Sequence, residues 1–478
     1  MSDVAEVLTP AGARVLEAAD AVSAVTSDPL SAAAALARAC PDASAELRAA
    51  ALTQAGLRRH AAGRFGPDAA AMFFTRDGLE QATRPSVAAH RAASLRERAG
   101  PDVRTALDLC CGLGTELIAL ARAGFDVTGV DLDPDALDAA AANLASLGLV
   151  GRLLAADATT VDTAAAGVVV ADPARRGGSG RLRDPERFSP PWSWVRELLT
   201  RPGVRACVTT SPALDARLVP PDCEAEWVDD AGSTVELAVW SPALSSDGVR
   251  RRATVLARPA ATVPAPATGS ATGTGTGTGS GSGSTSGLAT AAPTADVRLR
   301  LTDADDGAGQ TPAAADPEPG QWLLEPRGAI LRAGLIGVLA DRVDGRVPAP
   351  GIGYLLAADP APAAGLAAAF EIVEVLPLRP AVVRRRLAQL GAGSLEVLAR
   401  GVDLDVAGFR SAVLPRRPAG GVAVTLVATR TRTGAVALLV ERRAPAPATR
   451  SAGPILGTAT PTTAPTTVPP TDRTEETP

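Results

Sequence analysis

Leu107-Asp108-Leu109-Cys110-Cys111-Gly112-Leu113-Gly114-Thr115-Glu116, followed after one helix-length segment by Gly129-Val130-Asp131, decides the fold. An apolar run ends in a Gly-x-Gly turn, an amphipathic segment of helical spacing follows, and a second apolar run ends in a carboxylate. These are the parts of a parallel βαβ unit that holds an adenosine-containing ligand. Gly112 and Gly114 carry no Cβ, so the backbone can approach a ligand closely. Asp131, at the tip of the second strand with Leu132 beside it, is placed to accept from both ribose hydroxyls.

A dinucleotide loop carries a third glycine three residues after the second; here that place is Leu117. Glu116, in the first helical turn, repels a pyrophosphate but suits an ammonium. Asp108 lies on the first strand beside the same position. Asp157 and Ala158 end a third strand, where a carboxylate can take an exocyclic amine. Acids near successive strand ends, together with the small side chain of Cys110 in the turn, fit S-adenosylmethionine, whose charges are a sulfonium and an ammonium. The bland alternative is a Rossmann-like domain with ordinary turn glycines and capping acids.

A fourth strand, Gly167–Ala171, runs into Asp172-Pro173-Ala174-Arg175-Arg176. Its end faces the ligand crevice of such a sheet. Asp172, Pro173 and Arg175 are the candidate catalytic residues: the carboxylate to accept from a nucleophilic amine, the arginine to orient it or meet a phosphate. Arg181, Arg183 and Arg187 extend the positive loop. Phe188, Trp192 and Trp194 then supply rings in a chain that is only 3% aromatic, either as base-stacking platforms or as caps of the core.

At 478 residues the chain has room for two or three domains. Its basic residues are all arginine, a composition expected from a GC-rich genome, so arginine abundance alone says little. Charge distribution says more: residues 372–445 hold 12 arginines against five acids, while the whole chain stands at −5. A basic module on an acidic body suits a nucleic-acid grip, or a solvated arginine surface. The five cysteines, at positions 40, 110, 111, 207 and 223, follow no zinc spacing, and His60 and His90 have no partner suggestive of metal or nucleophilic chemistry. No metal site is expected. Without a signal segment or an apolar run long enough to span a bilayer, the expectation is a cytoplasmic protein with no membrane partner.

The composition predicts a helical region at 1–85, an α/β domain at 86–257, a disordered low-complexity linker at 258–319, an α+β domain at 320–445 and a disordered tail at 446–478. Strands are predicted near 105–110, 126–131, 152–156, 167–172, 205–210 and 234–241, with room for one more at 248–257. The predicted order after Glu371 is βαβαββ. Thr9 and either Asp42 or Ser44 are candidate helix caps, and Thr83 is placed near the cap of a helix opening at Pro85.

These residues resemble the class I S-adenosylmethionine-dependent methyltransferases, through Asp108, Gly112, Gly114, Asp131, Asp157 and Asp172. Phe74–Pro85, Asp172–Arg176 and Glu325–Gly334 are similar to a bacterial subgroup with a C-terminal THUMP-like domain. The resemblance implies a Rossmann-like core with a helical N-terminal region and a small α+β C-terminal domain, S-adenosylmethionine as cofactor, and RNA (tRNA or rRNA) as partner, with no DNA expected. The pattern departs from that of amino-directed relatives: Ala174 stands where they have a second proline and Arg175 where they have an aromatic ring. A small-molecule or protein methyltransferase with a partner-binding terminal domain, and a scaffold that keeps the fold without catalysis, remain open at this point.

Overall fold

The computed structural model describes residues 3–177, 180–182, 184–257, 297–414 and 421–442. The N-terminal region is α1 (Asp3–Val7), α2 (Pro10–Val25), α3 (Pro29–Ala39), α4 (Ala45–Phe65) and α5 (Arg76–Gln81). Side-chain caps start the last four: Thr9, Asp28, Ser44 and Thr75 each accept from the N–H three residues on, at 2.8–3.0 Å. Helix α6 (Pro85–Ala99) opens instead on Arg84, without a side-chain cap, so Thr83 is not its capping residue.

A nine-stranded sheet follows. Its strands are β1 (Thr105–Leu109), β2 (Asp126–Asp131), β3 (Gly151–Ala155), β4 (Val168–Ala171), β7 (Ala206–Thr210), β8 (Glu224–Asp230), β9 (Ser233–Trp240), β10 (Arg251–Ala257) and β11 (Val297–Thr302); β5 (Arg176–Gly177) and β6 (Gly180–Arg181) form a small separate hairpin. The order is β11-β10-β8-β9-β7-β4-β1-β2-β3. From β3 to β7 all pairs are parallel. The β9 strand runs antiparallel to both β7 and β8. Val168–Ala171 is buried throughout, as expected of a central strand covered on both faces. The chain order reverses at β1 and β4, and Leu109 pairs with Ala171 there. Their loops leave the sheet edge side by side, at the switch point where ligands bind in open α/β sheets. Helices α7 (Thr115–Arg122), α8 (Pro134–Ser146) and α9 (Trp192–Thr200) fill the crossovers.

A six-stranded sheet, order β13-β12-β14-β17-β16-β15, is made by β12 (Trp322–Pro326), β13 (Leu355–Ala357), β14 (Ala367–Pro377), β15 (Ala392–Arg400), β16 (Val422–Arg430) and β17 (Ala435–Arg442). Helices α12 (Pro380–Gln389) and α13 (Val406–Val413) cover one face, burying Val383, Leu387, Phe409 and Val413 against Leu426 and Leu439. From β14 onward the order is βαβαββ.

Three differences from the sequence reading have physical causes. First, the part of the expected linker from 297 onward is folded: Val297–Thr302 is the edge strand of the large sheet, pairing with β10, and turns and β12 follow. Its alternating Val-Arg-Leu-Arg-Leu pattern is a strand signal that the neighbouring low-complexity sequence obscures. Residues 258–296 and the tail expected at 446–478 lie outside the described residues. Second, the boundary at 320 is not clean, because α10 (Gly328–Ala333) packs on β8 and β10 and α11 (Ile336–Arg342) packs near β11. Third, β8 has no counterpart among the expected strands. Its sequence Glu-Ala-Glu-Trp-Val-Asp-Asp is rich in residues poor in strands, yet every position is buried.

Buried partners hold those acids. Glu224 accepts from Arg98 (3.0 Å) and Arg252 (2.6 Å). Glu226 accepts from Trp240 Nε1 (2.9 Å) and Thr254 Oγ1 (2.5 Å) and pairs with His90 (2.9 Å). Burial raises the Glu226 pKa, but His90, Arg98 and Thr254 outweigh it and hold the carboxyl well below the usual range. His90 is therefore a structural partner.

Candidate active site

The loop after β1 is shaped by left-handed backbone. Cys110 has φ 63°, Gly112 φ 52° and Gly114 φ 77°, and the Cys111 N–H donates to Val130 O at 3.0 Å. A Cβ on Gly114 would stand 3.1 Å from Ala140 Cβ on α8, whereas one on Gly112 would meet nothing within 4 Å. Gly114 thus allows close helix packing, and Gly112 faces open space.

Asp131 Oδ2 accepts from the Gly112 N–H (2.9 Å) and Oδ1 from the Asp133 N–H (3.0 Å). Its carboxylate therefore braces the loop, with lone pairs left for a further donor. Leu132 next to it is 63% exposed on the wall of the cleft. Asp157 Oδ1 accepts from Thr159 N (2.8 Å) and Oγ1 (2.7 Å), and those bonds lower its pKa. Ala158 is buried behind it.

On the cleft floor the arrangement differs from the sequence reading. Glu116 does not stand alone: Arg91, on α6, donates to Glu116 Oε2 and also to Glu236 Oε1 and Oε2 at 2.7 and 2.6 Å. Asp108 is 2% exposed. Burial is the main cause of its well-raised pKa, with Glu116 adding to it. Burial likewise pushes Glu116 up to about 7, against the pull of Arg91. Asp108 Oδ2 and Glu116 Oε1 are buried without hydrogen-bond partners. Three carboxylates around one guanidinium, two with orphaned oxygens, favour a bound cation that donates hydrogen bonds. The ammonium of S-adenosylmethionine fits those acceptors, and its sulfonium adds positive charge.

The roof comes from the N-terminal region. Thr75–Thr83 lies along a cleft of about 710 Å3. Asn143 on α8 exchanges hydrogen bonds with the backbone of Phe73 (2.6 and 3.1 Å) and donates to Leu113 O (2.9 Å). Gln54 does the same for Phe74 (2.6 and 3.0 Å). A Cβ on Gly78 would press on Leu113 at 2.7 Å, so the roof sits directly on the glycine loop.

Asp172 follows β4, its N–H donating to Leu109 O at 3.3 Å. Pro173 is buried. Ala174 pairs with Ser189 through two backbone bonds of 2.8 and 3.1 Å. Arg175 O accepts from Leu182 N at 2.8 Å. Trp192 is 1% exposed and donates to Leu218 O (3.2 Å), and Phe188 is also buried. These two rings are core, which removes them as stacking platforms; Trp194 is half-buried against the same core. Arg183 lies outside the described residues.

A smaller recess of about 240 Å3 adjoins the cleft. Asp172, Arg175, Gln81, Ala82, Thr83 and Val235 line both cavities; Arg64, Arg84, Thr209 and Thr210 line only the smaller. Sequence reading misses Arg91, Glu236, Arg64, Arg84 and Asn143. Arg91 carries a signal: it stands at the core-facing spacing Val87-Ala88-Arg91-Ala92-Leu95, where a charge needs a buried partner. Glu236 offers none, since it alternates within an ordinary strand.

Among the described residues no helix is long and apolar enough to cross a membrane. Family models match residues 106–171 as a methyltransferase domain, 367–442 as THUMP domain-like and 1–61 as a domain of unknown function. A candidate methyltransferase from Porphyromonas gingivalis W83 shares the fold, with TM-score 0.63 at 17% identity over 90% of this chain and 98% of that one. Uncharacterized S-adenosylmethionine-dependent methyltransferases from Mycobacterium tuberculosis strains CDC 1551 and H37Rv are 32% identical over 359 residues, 73% of this chain and 84% of theirs. The chain belongs to the S-adenosylmethionine-dependent methyltransferases.

Proposed function

We propose that this methyltransferase modifies a base of tRNA or rRNA, with the C-terminal domain gripping the RNA. One observation carries the reading: the two cavities meet at Asp172 and Arg175, so a donor in the larger and an acceptor in the smaller would face each other across one carboxylate. Bound S-adenosylmethionine supplies a methyl group on a positively charged sulfur. Asp108, Glu116 and Asp131 are assigned to its ammonium and ribose, Cys110, Gly112 and Gly114 to the close backbone approach, and Leu132, Asp157 and Ala158 to the adenine end.

Asp172 is assigned to accept an N–H of the acceptor and aim its lone pair, while Pro173 and Arg175 hold that carboxylate and its ligand in place. Little covalent work falls to the protein. Holding the reacting atoms in line is worth up to roughly 7–11 kcal/mol. The THUMP domain-like match at 367–442 and exposed Arg379, Arg384, Arg385 and Arg410 on or beside α12 and α13 support RNA as the partner.

The test is transfer of a labelled methyl group by the purified chain to RNA, protein and small-molecule fractions from cells lacking the gene, with nucleosides resolved by mass spectrometry. Label in one nucleoside of the RNA fraction is expected. Label confined to another fraction overturns the reading.

A further inference from the structure

We propose that the smaller recess contains an anion subsite for the phosphate of the acceptor nucleotide, with Arg64, Arg84 and the Thr210 hydroxyl as its ligands. The proposal rests on the RNA reading above and adds what the acceptor must carry.

The argument is one of uncompensated polarity. Arg64 ends α4, and its Nη1 donates to Leu79 O at 2.8 Å. Its Nε is buried without a partner, and among the described residues it makes no ion pair with a carboxylate. Arg84, on the same recess, uses Nη1 for Asp230 O (3.0 Å) and Oδ2 (2.9 Å). Asp230 thereby offsets Arg84, while Glu236, which also lines the recess, is committed to Arg91. Burial and the nearby Arg84 charge both lower the pKa of Arg64. Thr210 is 2% exposed, lines the recess, and has a hydroxyl with no partner.

A half-buried guanidinium beside a second one, without a counter-ion, is a cost that an anion relieves. Guanidinium forks match phosphate oxygens, and a hydroxyl adds a third donor. Asp172 lines the same recess and favours a hydrogen-bond donor. A ligand with an anion at one end and N–H groups at the other is a nucleotide. A base turned toward Asp172 brings its own phosphate toward the arginines.

Calorimetry on the full chain saturated with S-adenosylhomocysteine tests this, using the four ribonucleoside 5′-monophosphates and the four nucleosides as probes. At least one nucleotide should bind tenfold or more tightly than its nucleoside. Arg64→Gln should abolish that advantage and Arg64→Lys should restore part of it. Thr210→Val, which keeps the packing volume, should reduce it several-fold, and uptake of S-adenosylhomocysteine reports that each variant is folded. No advantage in the wild type, including no binding of either probe, overturns the subsite, as does an advantage that survives Arg64→Gln. Protein that labels RNA but shows no preference for the phosphate loses the subsite and keeps the RNA reading. A preference with label delivered only outside the RNA fraction does the reverse.

Discussion

Arg91 and Glu236 lie 145 positions apart in sequence, yet their side chains join by a two-oxygen hydrogen bond of 2.6–2.7 Å beneath the cleft. The same guanidinium reaches Glu116 in the first turn of α7. Helix α6, the first turn of α7 and β9 are thus tied at one buried cation.

Removing that cation leaves two carboxylates buried without compensation. Arg91→Met should lower stability by about 3–5 kcal/mol, read as a lower thermal midpoint. Arg91→Met with Glu116→Gln and Glu236→Gln should recover part of it. An unchanged midpoint for the single variant would show that the pairing carries no net stability.

Glu116 titrates near 7, and Asp108 is also raised, because burial penalises their charged forms. With folded values above unfolded ones, the native state holds the extra protons. The Glu116 contribution to stability is full below the ordinary carboxylate range and is lost as pH rises toward about 7, by about 1.4 kcal/mol per pH unit while only the folded form is protonated; Asp108 acts in the same direction. A cationic ligand prefers the deprotonated pair. Affinity for S-adenosylhomocysteine should therefore rise with pH through neutrality and then level off, with proton release on binding. Glu116→Gln should flatten the slope, and calorimetry in two buffers of different ionisation heat checks the proton release.

Asp172→Ala should leave S-adenosylhomocysteine binding within a few-fold of wild type while lowering methyl transfer by about a hundredfold or more, the scale of removing one positioning interaction. Equal transfer by both proteins would remove Asp172 from the chemistry.

The two loop glycines should separate by readout. Gly114→Ala forces a Cβ against Ala140 at φ 77° and should cost about 1–2 kcal/mol or more of stability. Gly112→Ala meets open space at φ 52°, so its strain should be accompanied by a proportionally larger loss of S-adenosylhomocysteine affinity as the methyl group enters the cleft. Denaturant titration beside calorimetry distinguishes them.

Arg385 and Arg410 are exposed on α12 and α13. Replacing both with glutamine should weaken RNA binding and reduce the slope of log affinity against log salt by about 0.7–0.9 for each RNA phosphate that is no longer neutralised. An unchanged slope would place the RNA elsewhere.

The parallel half of the catalytic sheet is legible in the sequence because both its faces are covered, so β1, β2 and β4 read as apolar runs ending in turn glycines or acids. Asp108, Asp131 and Asp172 are legible for the same reason: polar residues at the ends of such runs mark the ligand edge. The antiparallel half is not. β8 hides its acids behind arginines from α6 and β10, and a one-dimensional reading sees only a charged loop. The roof residues likewise depend on pairings such as Asn143 with Phe73, which join segments that no local pattern links. Glu116 lies at the cleft as its position in the motif implies, but its partner Arg91 arrives from a helix outside the motif, and no local spacing announces it.

Ala257 and Val297 are cross-strand partners on adjacent β10 and β11. The stretch between them therefore departs from and returns to the same spot on the sheet edge. The chain after Val297 thus contributes an outer rib to the sheet built by the chain before Ala257. The catalytic body and the chain that follows Val297 are one folding partnership, and expressing either alone would expose a raw edge that the other normally covers.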